Sequence, residues 1–255
     1  IERIANISTL DVEVSKHIAD AIHQVGVNGV VTVERGAQLG ISCDVVKGLR
    51  FDKGLISPFL VNDHKNMQTV LEDAFIVLVD RKISSNEQIL SLLQSIGTGK
   101  HILFIAADVE GMALATLAHN AQNNVASLAA VRNPYNASPA KDFLFDVAAL
   151  TGAKVISEES GMLLEKATIE FCGRADRVIV TKDTTTIIGG RGGAALQQRI
   201  DNIEDQIKET TSEYQKKILV DRLAALTGGI GVIRVGAYTD TEFNAKRLKF
   251  ENGIN

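Results

Sequence analysis

Five histidines and two cysteines are the side chains of this 255-residue sequence best suited to hold a metal or to pair a nucleophile with its base. Such sites need short fixed spacings, because several side chains must converge on one atom. His17, His23, His64, His101 and His119 show no ligand spacing to one another or to a cysteine. On an amphipathic helix a lone histidine is ordinarily a surface or half-buried residue, which is the expectation for His17 and His23. Cys43 and Cys172 lack Cys-x-x-Cys spacing and read as structural thiols of a reducing compartment. No Gly-x-Ser-x-Gly elbow, His-Glu-x-x-His pair or Walker-type phosphate loop occurs. These residues predict neither a catalytic site nor a metal site.

One glycine-rich segment, Ile188-Gly189-Gly190-Arg191-Gly192-Gly193, follows a strand-like run and precedes a helix. Backbone N–H groups can cradle phosphate in that context. Without a Lys-Ser/Thr ending or Gly-x-Gly-x-x-Gly spacing, a tight connection is the better reading. The threonines of Lys182-Asp183-Thr184-Thr185-Thr186 fit a nucleotide loop or a strand end about equally. An α/β enzyme or binding domain for a phosphorylated ligand at 189–193 is therefore the alternative reading.

The stronger signal is apolar. Ile89, Leu92, Leu93 and Ile96 cover about 100° of a helical wheel, and Leu90 widens that to about 160°. Ala113, Leu114, Leu117 and Ala118 span about 140°. A third segment, Gly54-Leu55-Ile56-Ser57-Pro58-Phe59-Leu60-Val61, sets large apolar groups around a proline turn. Such surplus means either helices buried between two layers or an exposed face that binds protein. Periodicity does not separate the two.

The elements that position these residues alternate. Strands are expected at 30–34, 44–46, 75–80, 101–107, 125–132, 154–157, 177–181 and 231–235. Several are apolar almost throughout, as in central strands covered on both faces. Intervening helical patterns make the chain α/β with a mainly parallel core. Ser84 to Glu87 has capping-box spacing. Ser138-Pro139 opens a helix that Gly152 closes. Two helices broken near Thr210-Thr211-Ser212 fill 194–226 and end at Gly228-Gly229.

Apolar residues make up 45% and charged residues 23%, enough for one large or two smaller cores without staples. A net charge of −4 with no Lys/Arg run argues against nucleic acid as a partner. No apolar stretch is long enough to span a membrane. The chain opens on Ile1 in Ile-Glu-Arg-Ile-Ala-Asn, which predicts a piece of a longer protein.

A set of phrases runs along the chain: Val30-Val31-Thr32-Val33-Glu34, Phe51-Asp52-Lys53-Gly54 with Ser57-Pro58, and Ala107-Asp108-Val109-Glu110-Gly111. Leu150-Thr151-Gly152-Ala153, Val155-Ile156-Ser157-Glu158-Glu159-Ser160-Gly161-Met162 and Gly228-Gly229-Ile230-Gly231-Val232-Ile233-Arg234-Val235-Gly236 continue it. In order and near-family spacing, from about Ile7 to Glu251, they resemble GroEL-type (group I) chaperonins. The resemblance implies an apical substrate-binding domain at 46–229, with mainly parallel or mixed sheet layers flanked by helices. A smaller α+β intermediate domain would be built from 1–45 and 230–255, with the equatorial ATP domain absent. Hinges would lie at Gly48, Gly228 and Gly229, where glycine tolerates backbone rotation.

Carried over residue by residue, the family's substrate-binding positions fall on Leu55, Phe59, Leu60, Leu90, Leu93, Leu114, Ala118 and His119. The implied partners are exposed hydrophobic segments of non-native polypeptides and the co-chaperonin. The whole family protein is an ATP- and Mg-dependent folding ring. This stretch would be monomeric, without cofactor and not itself an enzyme, in bacterial cytoplasm or an organelle matrix. It departs from the family in having Leu55 and Leu60 at usually aromatic positions, and Ala118 and His119 where a bulkier apolar residue is usual. Tyr135-Asn136-Ala137-Ser138-Pro139-Ala140 replaces a glycine-rich, basic segment. Asn252 stands where the family has an Asp that assists ATP hydrolysis, with Glu251 the candidate if the register slips by one. An amide cannot polarise water or hold a metal as a carboxylate can.

Overall fold

The run Phe75-Ile76-Val77-Leu78-Val79 has no polar side chain, so a strand made from it must be covered on both faces. In the computed structural model, which describes residues 12–26 and 29–254, it forms the middle of a 15-residue strand. In chain order the first elements are α1 (Val12–Val25), β1 (Val30–Arg35), β2 (Ile41–Val46), β3 (Gly48–Phe51), a 3-10 turn (Pro58–Leu60) and β4 (Thr69–Ile83). Then come α2 (Asn86–Ile96), β5 (His101–Val109), α3 (Gly111–Gln122), β6 (Ser127–Arg132), α4 (Ser138–Thr151) and β7 (Val155–Ile156). Two 3-10 turns (Leu164–Lys166, Ile169–Phe171) lead to β8 (Gly173–Val180), β9 (Thr185–Gly190) and α5 (Ala194–Glu209). The chain closes with α6 (Glu213–Thr227), β10 (Ile230–Val235) and α7 (Asp240–Ile254). Ile1 and Ile7, where the intermediate segment and the family resemblance are expected to begin, lie outside the described residues.

The chain divides into two compact units, Ile1–Lys47 with Thr211–Asn255, and Gly48–Thr210. The first division lies close to the boundary expected at 45/46. The second comes at 210/211 and not at 229/230, so α6 groups with the chain ends. The chain leaves helix at Thr210, and Ser212 opens α6 by accepting the Gln215 N–H at 3.4 Å.

In the unit built from both chain ends, β10 is the middle strand of the order β1-β10-β2. It runs parallel to β1 (Val30↔Ile230) and antiparallel to β2 (Ile230↔Val46). Val14, Ile18 and Ala21 recur at helical spacing on α1 and pack with Phe250 of α7 against Ile233 and Val235. Arg234, on the middle strand, reaches Glu34 on β1 at 3.2 Å and also Asp44 on β2.

The larger unit holds a seven-stranded mixed sheet in the order β3-β9-β8-β4-β5-β6, with β7 also on β4. β4, β5, β6 and β7 are mutually parallel, whereas β8, β9 and β3 join antiparallel. Four of the seven strands therefore form the parallel core expected from the alternating pattern, and three antiparallel strands make the sheet mixed. Val77 and Val79 share a cluster with Ile89 and Leu92 of α2 and Ala113 and Leu117 of α3. The alternate residues Ile76 and Leu78 point to the other face, where α4 packs on β4 and β8. Arg199 of α5 meets the buried Asp146 of α4 at 2.7 Å, so that carboxylate is paired rather than stranded.

Candidate functional site

α2 starts where Gln88 reaches back, its Oε1 accepting the Ser85 N–H at 3.0 Å and the Ser84 N–H at 2.8 Å. The capping partner is thus Gln88 at the third helical position, one residue beyond the expected Glu87. α3 begins directly after β5, and the Ala113 N–H donates to the Ser84 carbonyl at 3.2 Å. The two helices pack side by side, and Thr116 Oγ1 donates to Asn86 Oδ1 at 2.7 Å between them. The Pro58–Leu60 turn packs on the other flank of α3. It is tied down where Ile56 N–H donates to the Ala130 carbonyl at 2.9 Å, on the outer edge of β6. Three segments distant in sequence thereby become neighbours, in the order α2, α3, turn.

The flagged residues divide by depth. Phe59 is 61% exposed and Leu90 is 50% exposed. Leu55, Leu93 and Leu114 are half-buried and pack against the core from outside. Ala118 is half-buried and His119 exposed, one turn further along α3. Leu60 is corrected: at 1% exposure it belongs to the core, because the turn points it inward while Phe59 beside it faces out. Ile89, Leu92, Ala113 and Leu117 are fully buried, so each helix has a core stripe with a second apolar flank beside it.

Three exposed apolar residues extend this face beyond what periodicity marks. Met112 on α3 is 63% exposed. Leu163 and Ile169 flank α2 on its far side, where the Ile169 N–H donates to Ser95 Oγ at 3.0 Å. The 162–171 stretch has no helical or strand period, so no sequence pattern marked it. A pocket of about 470 Å³ opens between the 58–62 turn and the end of α3, lined by Phe59, Asn62, His64, Gln122, Asn124 and Leu128.

The glycine-rich segment takes another role. Gly190 ends β9, opposite Ala175 on β8. The Arg191 N–H donates to the Arg174 carbonyl at 3.1 Å and the Gly192 N–H to the Leu150 carbonyl at 2.8 Å. Those two donors are already used, which disfavours a phosphate cradle at 191–192. A Cβ at Gly192 would lie 1.7 Å from the Ala149 carbonyl oxygen, so glycine here lets the chain pass against α4.

The other expected positions fall as follows. Gly48 begins β3 at the division between the two units. Gly228 and Gly229 lie inside the unit formed by the chain ends. Gly229 has φ +67 and turns α6 into β10 close under the Val46 carbonyl, a conformation that side chains resist. Asn252 is exposed on α7, and Glu251 is paired with Arg247 at 3.4 Å. His101 Nδ1 accepts the Glu72 N–H at 2.7 Å, a contact between β5 and β4. Burial pushes the Cys172 thiol up to about 12, and burial followed by Asp44 raises that of Cys43. Among the described residues no group of three His, Cys, Asp or Glu could hold a metal. Among them, too, no helix is long and apolar enough to cross a membrane. No protein-family model matches the chain.

Proposed function

We propose that this chain is a chaperone-type binding module that captures exposed apolar segments of non-native proteins on the face formed by α2, α3 and the Pro58–Leu60 turn. The observation that carries this reading is the juxtaposition of three separate apolar segments with Phe59, Leu90 and Met112 held out to solvent. Burial of apolar area is non-directional and contributes about 25 cal/mol per Å², so such a face accepts many sequences. The wheel of α3 carries no formal charge between Gly111 and His119, and like-charge rejection of a ligand is correspondingly weak there. The GroEL-type resemblance supports the same reading and adds a co-chaperonin segment as a competing occupant. Capture itself needs no nucleotide or metal, and no catalytic role is proposed for any residue.

The test is suppression of aggregation of a chemically denatured protein, followed by light scattering without ATP. The parent chain should suppress it, and Leu90→Ser/Leu93→Ser should not, with circular dichroism unchanged. Equal performance by parent and variant removes α2 from the proposal, and no suppression by either removes the function.

A further inference from the structure

The larger unit contains a second concave site, far from α2 in chemical character. A half-open, polar cavity of about 680 Å³ lies at the carboxyl ends of the parallel strands. Asp80 and Arg81 reach it from β4 and Ala107 from β5. Asn133 follows β6, Ser157 and Glu158 follow β7, and the first turn of α4 closes one side.

Three independent features coincide there. The first is topology. The strand order β6-β5-β4-β7 means that β4→α2→β5→α3→β6 steps outward in one direction, and β6→α4→β7 then returns to the opposite side of β4. In open α/β sheets, the crevice outside the carboxyl ends at such a reversal is where ligands bind. A second feature is a bulge. The β4–β5 register passes from Val79↔Ala106 to Lys82↔Asp108, one extra residue on β4, and that irregularity falls on Asp80 and Arg81. Bulges re-aim side chains and recur beside functional sites. Third is unbalanced charge. Arg81 is held by Glu158 at 3.2 Å and by Glu165 at 3.1 Å, and Lys141 is held by Glu159. The Asp80 side chain, on the cavity wall, takes part in no hydrogen bond or ion pair among the described residues; Lys141 and Glu159 act on it only through space, in opposite senses.

We propose that this cavity binds a small hydroxylated primary amine, with its ammonium group on the Asp80 carboxylate. Its hydroxyls meet the polar rim at Ser138 and Ser157, and the half-exposed Tyr135 ring, packed on Phe143 with centroids 5.7 Å apart, offers a flat apolar wall. Partial burial raises the Asp80 carboxyl above its ordinary value, and an ammonium beside it would offset that penalty.

Amide chemical shifts of the ¹⁵N-labelled chain, titrated with glucosamine, test this. Saturable shifts are expected around Asp80, Ala107, Ser138 and Glu158. N-acetylglucosamine, which keeps the ring and every hydroxyl but turns the ammonium into a neutral amide, should bind at least tenfold more weakly. Asp80→Asn should cost a similar factor for glucosamine. Ser138→Arg, which fills the cavity without altering Asp80, should abolish the shifts. No saturable shift with the parent chain, equal shifts from the neutral sugar, or full binding by folded Asp80→Asn or Ser138→Arg overturns the proposal. If Asp80→Asn is unfolded, the charged-versus-neutral ratio and Ser138→Arg decide it alone.

Discussion

Thr116 on α3 hydrogen-bonds Asn86 at the first turn of α2, with 2.7 Å between their side-chain oxygens. The bond pins the start of one apolar helix to the middle of the other and fixes the spacing of their exposed flanks. Thr116→Val keeps the shape and removes the donor, leaving the Asn86 oxygen unanswered. Loss of such a bond costs about 1 kcal/mol, read as a lower midpoint in urea denaturation. Aggregation suppression should fall with it if the spacing matters for capture.

Leu90 and Leu92 are two residues apart with opposite environments, half exposed against fully buried. Leu92→Ala should cost about 2–5 kcal/mol through the cavity it leaves. Leu90→Ser should stay within about 0.5 kcal/mol of the parent. Chemical denaturation of both distinguishes a capture surface from core. Comparable losses would assign Leu90 to the core and remove it from the binding face.

Two aspartates on β4 should titrate with opposite consequences for stability. A hydrogen bond from Arg174, chiefly, lowers the Asp73 carboxyl, so its contribution is complete above the ordinary carboxylate range and is lost as pH falls through the lowered value. Burial raises Asp80, so its ionised form penalises the fold above the raised value and the penalty vanishes below the ordinary one. Asp73→Asn should therefore destabilise at pH 7 and converge with the parent in acid. Asp80→Asn should stabilise at pH 7 and also converge in acid. Thermal midpoints between pH 3 and 7 check both signs.

Cys172, with its thiol pushed to about 12, should resist alkylation in the native chain. Against an ordinary thiol near 8.5 its thiolate population at pH 8 is lower by about three orders of magnitude. Iodoacetamide labelling followed by peptide mass mapping should find Cys172 unmodified until the chain is denatured. Rapid native labelling would show that the site opens.

Gly192→Ala should cost more than about 2 kcal/mol, because its Cβ would meet the Ala149 carbonyl oxygen at 1.7 Å and that oxygen belongs to the backbone of a helix. Gly161→Ala, at φ +68 with open space around it, should cost only about 1–2 kcal/mol of backbone strain. The two melting curves separate close packing from conformational freedom. A near-neutral Gly192→Ala would revive a looser, ligand-accepting loop.

Much of this fold was legible because the unbroken apolar run of strand 101–109 and the helical period of 86–96 stand in the side chains themselves. β3 and β9 were not, for a physical reason. Gly48-Leu49-Arg50-Phe51 is too short for a period to show, and Thr185-Thr186-Ile187-Ile188-Gly189-Gly190 ends in residues that ordinarily mark turns. The candidate face was legible as three apolar surpluses, but their adjacency follows from packing between α2, α3 and the turn. Leu60 shows the limit most clearly. Phe59 and Leu60 are equally apolar, and only the direction of a single 3-10 turn sends one outward and the other into the core.

The order β1-β10-β2 has a bearing on how the chain is made. β1 and β2 are made before β10, yet neither pairs with the other; each waits for a strand whose first residue, Ile230, lies 200 residues beyond Val30 and 184 beyond Val46. Gly48–Thr210 can close on its own in the interval, since its sheet draws on no strand outside it. Until Ile230–Val235 leaves the ribosome, β1 and β2 are two unpaired edges awaiting a long-range closure, the slow and aggregation-exposed kind. The topology therefore favours an inside-out order, with Gly48–Thr210 closing first and the two segments that flank it joining last.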